Sequence, residues 1–150
     1  MIKLYTWFIG SFNDFAKSFR DNENLFAQAR SFWNHLSQSS LLLFIGGLVL
    51  ALLVVFSYYT WFNNQPGRHY KPKYWWLGML MEALLVFIYT LIVEWIVAKP
   101  QLDGAFVLEL KLALCNILYG TGLYALISFV WCNFNCFPTN AYRYLKIKKS

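Results

Sequence analysis

Charge is what this sequence has least of: Asp, Glu, Lys and Arg together make 13% of its 150 residues, about half the share usual in a soluble domain. A surface made from so few charges does not suit a soluble chain of this size. Histidine is nearly missing, with only His35 and His69. There is no HExxH, no GxSxG and no glycine-rich phosphate loop, so zinc hydrolases, serine hydrolases and P-loop NTPases lack their machinery here. The three cysteines, Cys115, Cys132 and Cys136, are odd in number, and Cys115 falls inside an apolar run, which argues against a disulfide framework. The start, MIKLYTWFIG, is followed by Asn13, Asp14 and Lys17 without a small-residue cleavage pattern, and no Arg-rich transit peptide is visible. A chain of bacterial origin, one made inside an organelle, or one carrying internal import signals is therefore expected.

Apolar and aromatic residues fill the space that charge leaves, at 59% and 21% of the chain. The expected fold class is all-α and integral to a membrane, with three transmembrane helices preceded by an amphipathic N-terminal segment. In residues 1–36, Leu4, Phe8, Phe12, Phe15 and Phe19 recur at helical spacing, and Phe26, Ala29, Trp33 and Leu36 continue the stripe. That pattern suits helices lying on a membrane surface or docked on a partner. A transmembrane domain follows over 37–132, with spans at about 41–62, 74–97 and 108–132, and a basic tail occupies 133–150. Ser37, Ser39 and Ser40 offer N-caps to the first span. Gly47 and Ala51 in the first span, and Gly120 and Gly122 in the third, provide small residues for close helix packing.

The second span, YWWLGMLMEALLVFIYTLIVEWIV, carries two carboxylates. Glu82 lies about a third of the way along, where an ionised side chain costs roughly 2.5 to 3.5 kcal/mol on insertion scales. A partner charge, a water-filled cavity or a proton must offset that cost, and each places this helix face against protein. Glu82 is thus the leading candidate for a polar proton path, which Tyr89 and Asn116 can extend by hydrogen bonding. Glu94 sits about 120° round the helix and about 18 Å along it. It is expected to act as an interfacial anchor, reaching the headgroups or pairing with Lys99.

Arg68, Lys71 and Lys73 in the first linker, with Arg143, Lys146, Lys148 and Lys149 in the tail, outnumber Arg30, Lys99 and Lys111 on the other side. By the positive-inside rule the linker and C-terminus face the matrix or cytoplasm, and the N-terminus lies outside. The linker basic residues are interfacial or structural. Cys132 and Cys136 stand one helical turn apart on the side of His69, but a fourth ligand and a usual zinc spacing are missing. No catalytic residue, metal or chain-bound cofactor is expected, nor a nucleic-acid partner; contacts with the lipid bilayer are.

Three spans, the basic linker, Glu82 within GMLMEALLVF, and a third span reading LCNILYGTGLYAL resemble the small three-span chain 4L of respiratory complex I, the NADH:ubiquinone oxidoreductase. The resemblance covers about residues 41–132. Glu82 matches the glutamate of that family's second span. Asn116, four residues before Gly120, stands where the family carries a second acid, which argues against a two-glutamate relay. Phe, Tyr, Asn and Lys usage would suit an AT-rich mitochondrial genome. The resemblance implies a non-redox membrane-arm subunit of a divergent mitochondrial complex I, in the inner membrane among the other membrane subunits, lending Glu82 to proton translocation and not catalytic alone. The residues alone leave two other readings open: an accessory structural subunit of another mitochondrial or bacterial membrane complex, and a small homo-oligomeric channel such as a bacterial defence effector.

Overall fold

A computed structural model describes residues 3–63, 65, 71–98, 102, 105–134, 145 and 147. The chain is all-α: among the described residues there are five α-helices and no strand. Two short helices, α1 (Lys3–Ile9) and α2 (Phe12–Ala16), precede three long ones, α3 (Glu23–Ser57), α4 (Pro72–Val93) and α5 (Ala105–Asn133). A π-helical turn, Tyr58–Phe62, extends α3, and another, Glu94–Ala98, extends α4. With these extensions, three helices are long and apolar enough to cross a membrane, Glu23–Phe62, Pro72–Ile96 and Ala105–Asn133.

The termini of these helices follow local chemistry. Gly10 takes a φ of 87°, a conformation glycine adopts without steric cost, and so ends α1. Ser11 then caps α2 through a reciprocal box with Asp14. The Asn22 side-chain oxygen accepts from the backbone N–H groups of Asn24 (3.0 Å) and Leu25 (3.3 Å), and so caps α3. The serines expected to cap the first span lie inside α3 instead. Ser39 and Ser40 donate to the carbonyls of Leu36 and Ser37, at 3.1 and 2.7 Å, which satisfies their hydroxyls without interrupting the helix. Pro72 opens α4, where its missing N–H would have had no partner in any case.

Burial is inverted relative to a soluble domain. Leu52, Leu53 and Phe56 of α3, Leu80, Met81 and Leu84 of α4, and Leu114, Leu118 and Leu126 of α5 are exposed, whereas Glu82, Thr90, Glu94, Asn116 and Ser128 are buried. Apolar side chains outward and polar ones inward is the arrangement that hydrocarbon, not water, selects.

The chain divides into two compact units, Met1–Gly46 with Phe87–Asn116, and Gly47–Val86 with Ile117–Ser150. In the first, Phe12 packs on Phe26 and Trp33, and Phe15 stacks on Trp33 at 5.9 Å with ring planes 29° apart. The N-terminal stripe therefore docks on α3 of its own chain. Phe8, expected in that stripe, is exposed, and Tyr5 and Ile9 are buried in its place, because the turn at Gly10 breaks the helical phase. In the second unit Val55, Tyr58, Tyr59, Trp75, Tyr124 and Cys132 form the core. Asn133, at the end of α5, donates to the Leu145 carbonyl (2.8 Å) and accepts from the Ile147 N–H (2.9 Å), tying part of the tail to this core.

Candidate functional site

Glu82 belongs to the second unit and is fully buried, and neither carboxylate oxygen has a hydrogen-bond partner among the described residues. It can approach α5 because Gly120 has no side chain: a Cβ there would stand 3.4 Å from Glu82 Oε1 and 2.9 Å from Val86 Cγ2. Tyr124, one turn beyond Gly120, is within electrostatic reach of the carboxyl. Its hydroxyl donates to the Trp75 carbonyl at 3.2 Å, which fixes the ring. Ser128, a further turn along, is fully buried and stands within electrostatic reach of the Tyr124 and Tyr59 hydroxyls.

The other path candidates lie in the first unit. The Asn116 amide donates to the Thr90 hydroxyl at 3.0 Å, joining α5 to α4. Tyr89 donates to the Leu42 carbonyl at 2.9 Å and rests directly on Gly46, where any side chain would collide with its ring. Each of these two residues thus has a partner on a different helix. Glu94, read from sequence as an interfacial anchor, is instead 1% exposed, because its four-residue spacing from buried Thr90 turns it inward. Glu109 of α5, 7% exposed, is within its electrostatic reach. Both Glu94 oxygens and Glu109 Oε1 lack hydrogen-bond partners among the described residues. Lys99, the expected partner of Glu94, and Arg68 lie outside the described residues, as do His69, Cys136, Arg143, Lys146, Lys148 and Lys149.

Among the packing residues, Ala51 is fully buried and Gly120 takes the Glu82 side chain. Gly47 and Gly122 do not serve as expected, since a Cβ on either meets nothing within 4 Å. Gly46 and Gly78 do that work, facing Tyr89 and Tyr124. Lys71 and Lys73 are exposed, the Lys73 ammonium lying 5.0 Å from the centre of the Tyr74 ring. The Cys132 thiol donates to the Tyr59 hydroxyl at 3.5 Å. No cluster of three or more His, Cys, Asp or Glu that could hold a metal occurs among the described residues.

Sequence reading missed Thr90 and Glu109. A period-four reading would have found the inward face of α4 and its π-helical extension, where Val86, Thr90 and Glu94 follow Glu82; in α5, Gly120, Tyr124 and Ser128 follow Asn116 at the same spacing. Chemically these faces offer protonatable carboxyls and hydrogen-bonding groups, with no nucleophile and base in contact. Fold and site together define a multi-pass helical membrane protein with acids buried in its spans. No protein-family model, curated protein or solved structure matches the chain.

Proposed function

We propose that the chain is a non-redox subunit of a larger membrane complex, in which Glu82 exchanges a proton within the bilayer. One observation carries this reading: a fully buried carboxyl whose two oxygens have no hydrogen-bond partner among the described residues, lying against a glycine in an apolar span. An acid in that setting is costly, and in membrane proteins such residues serve ion paths or pair with a cation. The sequence resemblance around Glu82 supports a particular assembly, the membrane arm of a proton-pumping NADH:quinone oxidoreductase of a mitochondrial or bacterial inner membrane. On that reading the basic linker faces the matrix or cytoplasm.

The same observation favours one other reading, a structural subunit whose Glu82 meets a Lys or Arg of a neighbouring chain. Glu82→Gln separates the two, since it keeps size and hydrogen bonding but removes the proton. In the proton-path reading the complex assembles and NADH-linked pumping falls. In the structural reading a partner charge is left buried, which typically costs about 3 to 5 kcal/mol, and the complex becomes scarce. Full assembly with full pumping, or migration of the native chain as a small symmetric oligomer, overturns the proposal.

A further inference from the structure

Independently of Glu82, the unit made by Gly47–Val86 and Ile117–Ser150 has a lopsided charge: seven Lys and Arg against a single acid, the buried Glu82. Within this unit an apolar groove of about 400 Å³ lies between the C-terminal part of α3 and the N-terminal part of α4. That volume is in the range of small-molecule sites. Its walls include Leu53, Met81 and Leu85, and Trp61 and Tyr74 stand at the helix ends beside the linker. From Trp61 back to Leu50 the lining covers about 16 Å of helix, close to one leaflet of a 30 Å hydrocarbon core. A cation marks the linker end: the Lys73 ammonium lies against the ring of Tyr74, and Lys71 is exposed two residues earlier.

We propose that this groove holds one acyl chain of an anionic phospholipid, with Lys73 and Lys71 engaging its phosphate. The dimensions match a single leaflet's chain, the aromatic pair stands where membrane interfaces concentrate Trp and Tyr, and the basic rim has no exposed acid in its own unit to neutralise it. A partner helix would suit the apolar walls alone, but the lysines at one end only select an amphiphile with an anionic head.

The full chain is reconstituted in phosphatidylcholine vesicles containing a small fraction of phosphatidylglycerol with brominated acyl chains, or brominated phosphatidylcholine at the same fraction. Trp61 fluorescence is isolated as the difference between the parent chain and Trp61→Phe. Brominated phosphatidylglycerol should quench it at a mole fraction lower by roughly 25-fold, the product of one factor from each lysine. Lys71→Gln with Lys73→Gln should bring the two midpoints together, each lysine accounting for about fivefold. Equal midpoints in the parent chain, or a preference that survives loss of both lysines, overturns the proposal. So does shielding of Trp61 from both lipids with cross-linking to a second polypeptide, which would assign the groove to protein.

Discussion

The side-chain amide of Asn116 donates to the hydroxyl of Thr90 across 3.0 Å, tying α5 to α4 through two buried polar groups. Asn116→Ala and Thr90→Val should each destabilise the folded chain in mild detergent or bilayer. The double-mutant cycle should return a coupling of about 0.6 kcal/mol, the average for such bonds between membrane helices, and under about 1.7 kcal/mol. Additive losses would show that the two residues do not act as a pair.

Gly120 and Gly122 should respond oppositely to the same methyl group. In Gly120→Ala the new Cβ lies 2.9 Å from Val86 Cγ2, a stiff β-branched tip, and overpacking of this kind costs about 1 to 3 kcal/mol. Adding Val86→Ala should recover part of that loss. Gly122→Ala enters open space and should gain up to about 1 kcal/mol of helix propensity. Thermal unfolding of the three variants checks the order.

The contacts of Phe12 and Phe15 with Trp33 set a test for the N-terminal segment. Phe12→Asp with Phe15→Asp should expose residues 3–22 to protease and shift Trp33 emission to the red, while the three long helices stay in the membrane. Unchanged protection would mean that these rings do not hold the segment.

Asp14 should make the α2 turn sensitive to acid. The Ser11 hydroxyl donates to its carboxylate at 2.7 Å, and the Ser11 N–H and Lys17 ammonium add weaker contacts, so the carboxyl is held below the ordinary aspartate range. A depressed value means that the contribution is present above the unfolded-state value and is lost as pH falls through the folded one. Amide protection at Asp14 and Phe15, taken relative to the intrinsic exchange rate at each pH, should fall as pH drops below about 4. In Ser11→Ala that acid dependence should shrink.

Much of the architecture was legible because hydrocarbon imposes a coarse rule on composition. Long apolar runs bounded by Pro72 and by the segment around Pro100 read directly as spans, whereas the capping box of Ser11 with Asp14 went unread. The inward face was harder to read. In a span nearly every residue is apolar, so hydrophobic periodicity, which finds the buried side of a soluble helix, loses its contrast. Asn116 and Gly120 stood out as exceptions, whereas Glu109 was not singled out and Gly46 was overshadowed by Gly47, which fits a familiar spacing but has no neighbour within 4 Å of where a Cβ would stand. Tertiary partners such as Thr90 for Asn116, or Leu42 for Tyr89, depend on helix rotation, which the linear sequence leaves undetermined.

The π-helical turns at Tyr58–Phe62 and Glu94–Ala98 bear on how such a chain can change length over evolutionary time. A π turn accommodates one residue more than an α turn, as the Asn63 N–H bonded to the Tyr58 carbonyl at 2.8 Å illustrates. Loss of a residue there can relax the turn to α geometry and leave the flanking side chains in phase. A deletion inside α4 instead rotates everything beyond it by about 100°, swinging Glu82 or Thr90 off its face. Insertions and deletions among descendants of this sequence are therefore expected to gather at the two π turns and to spare the helical stretch between Pro72 and Val93.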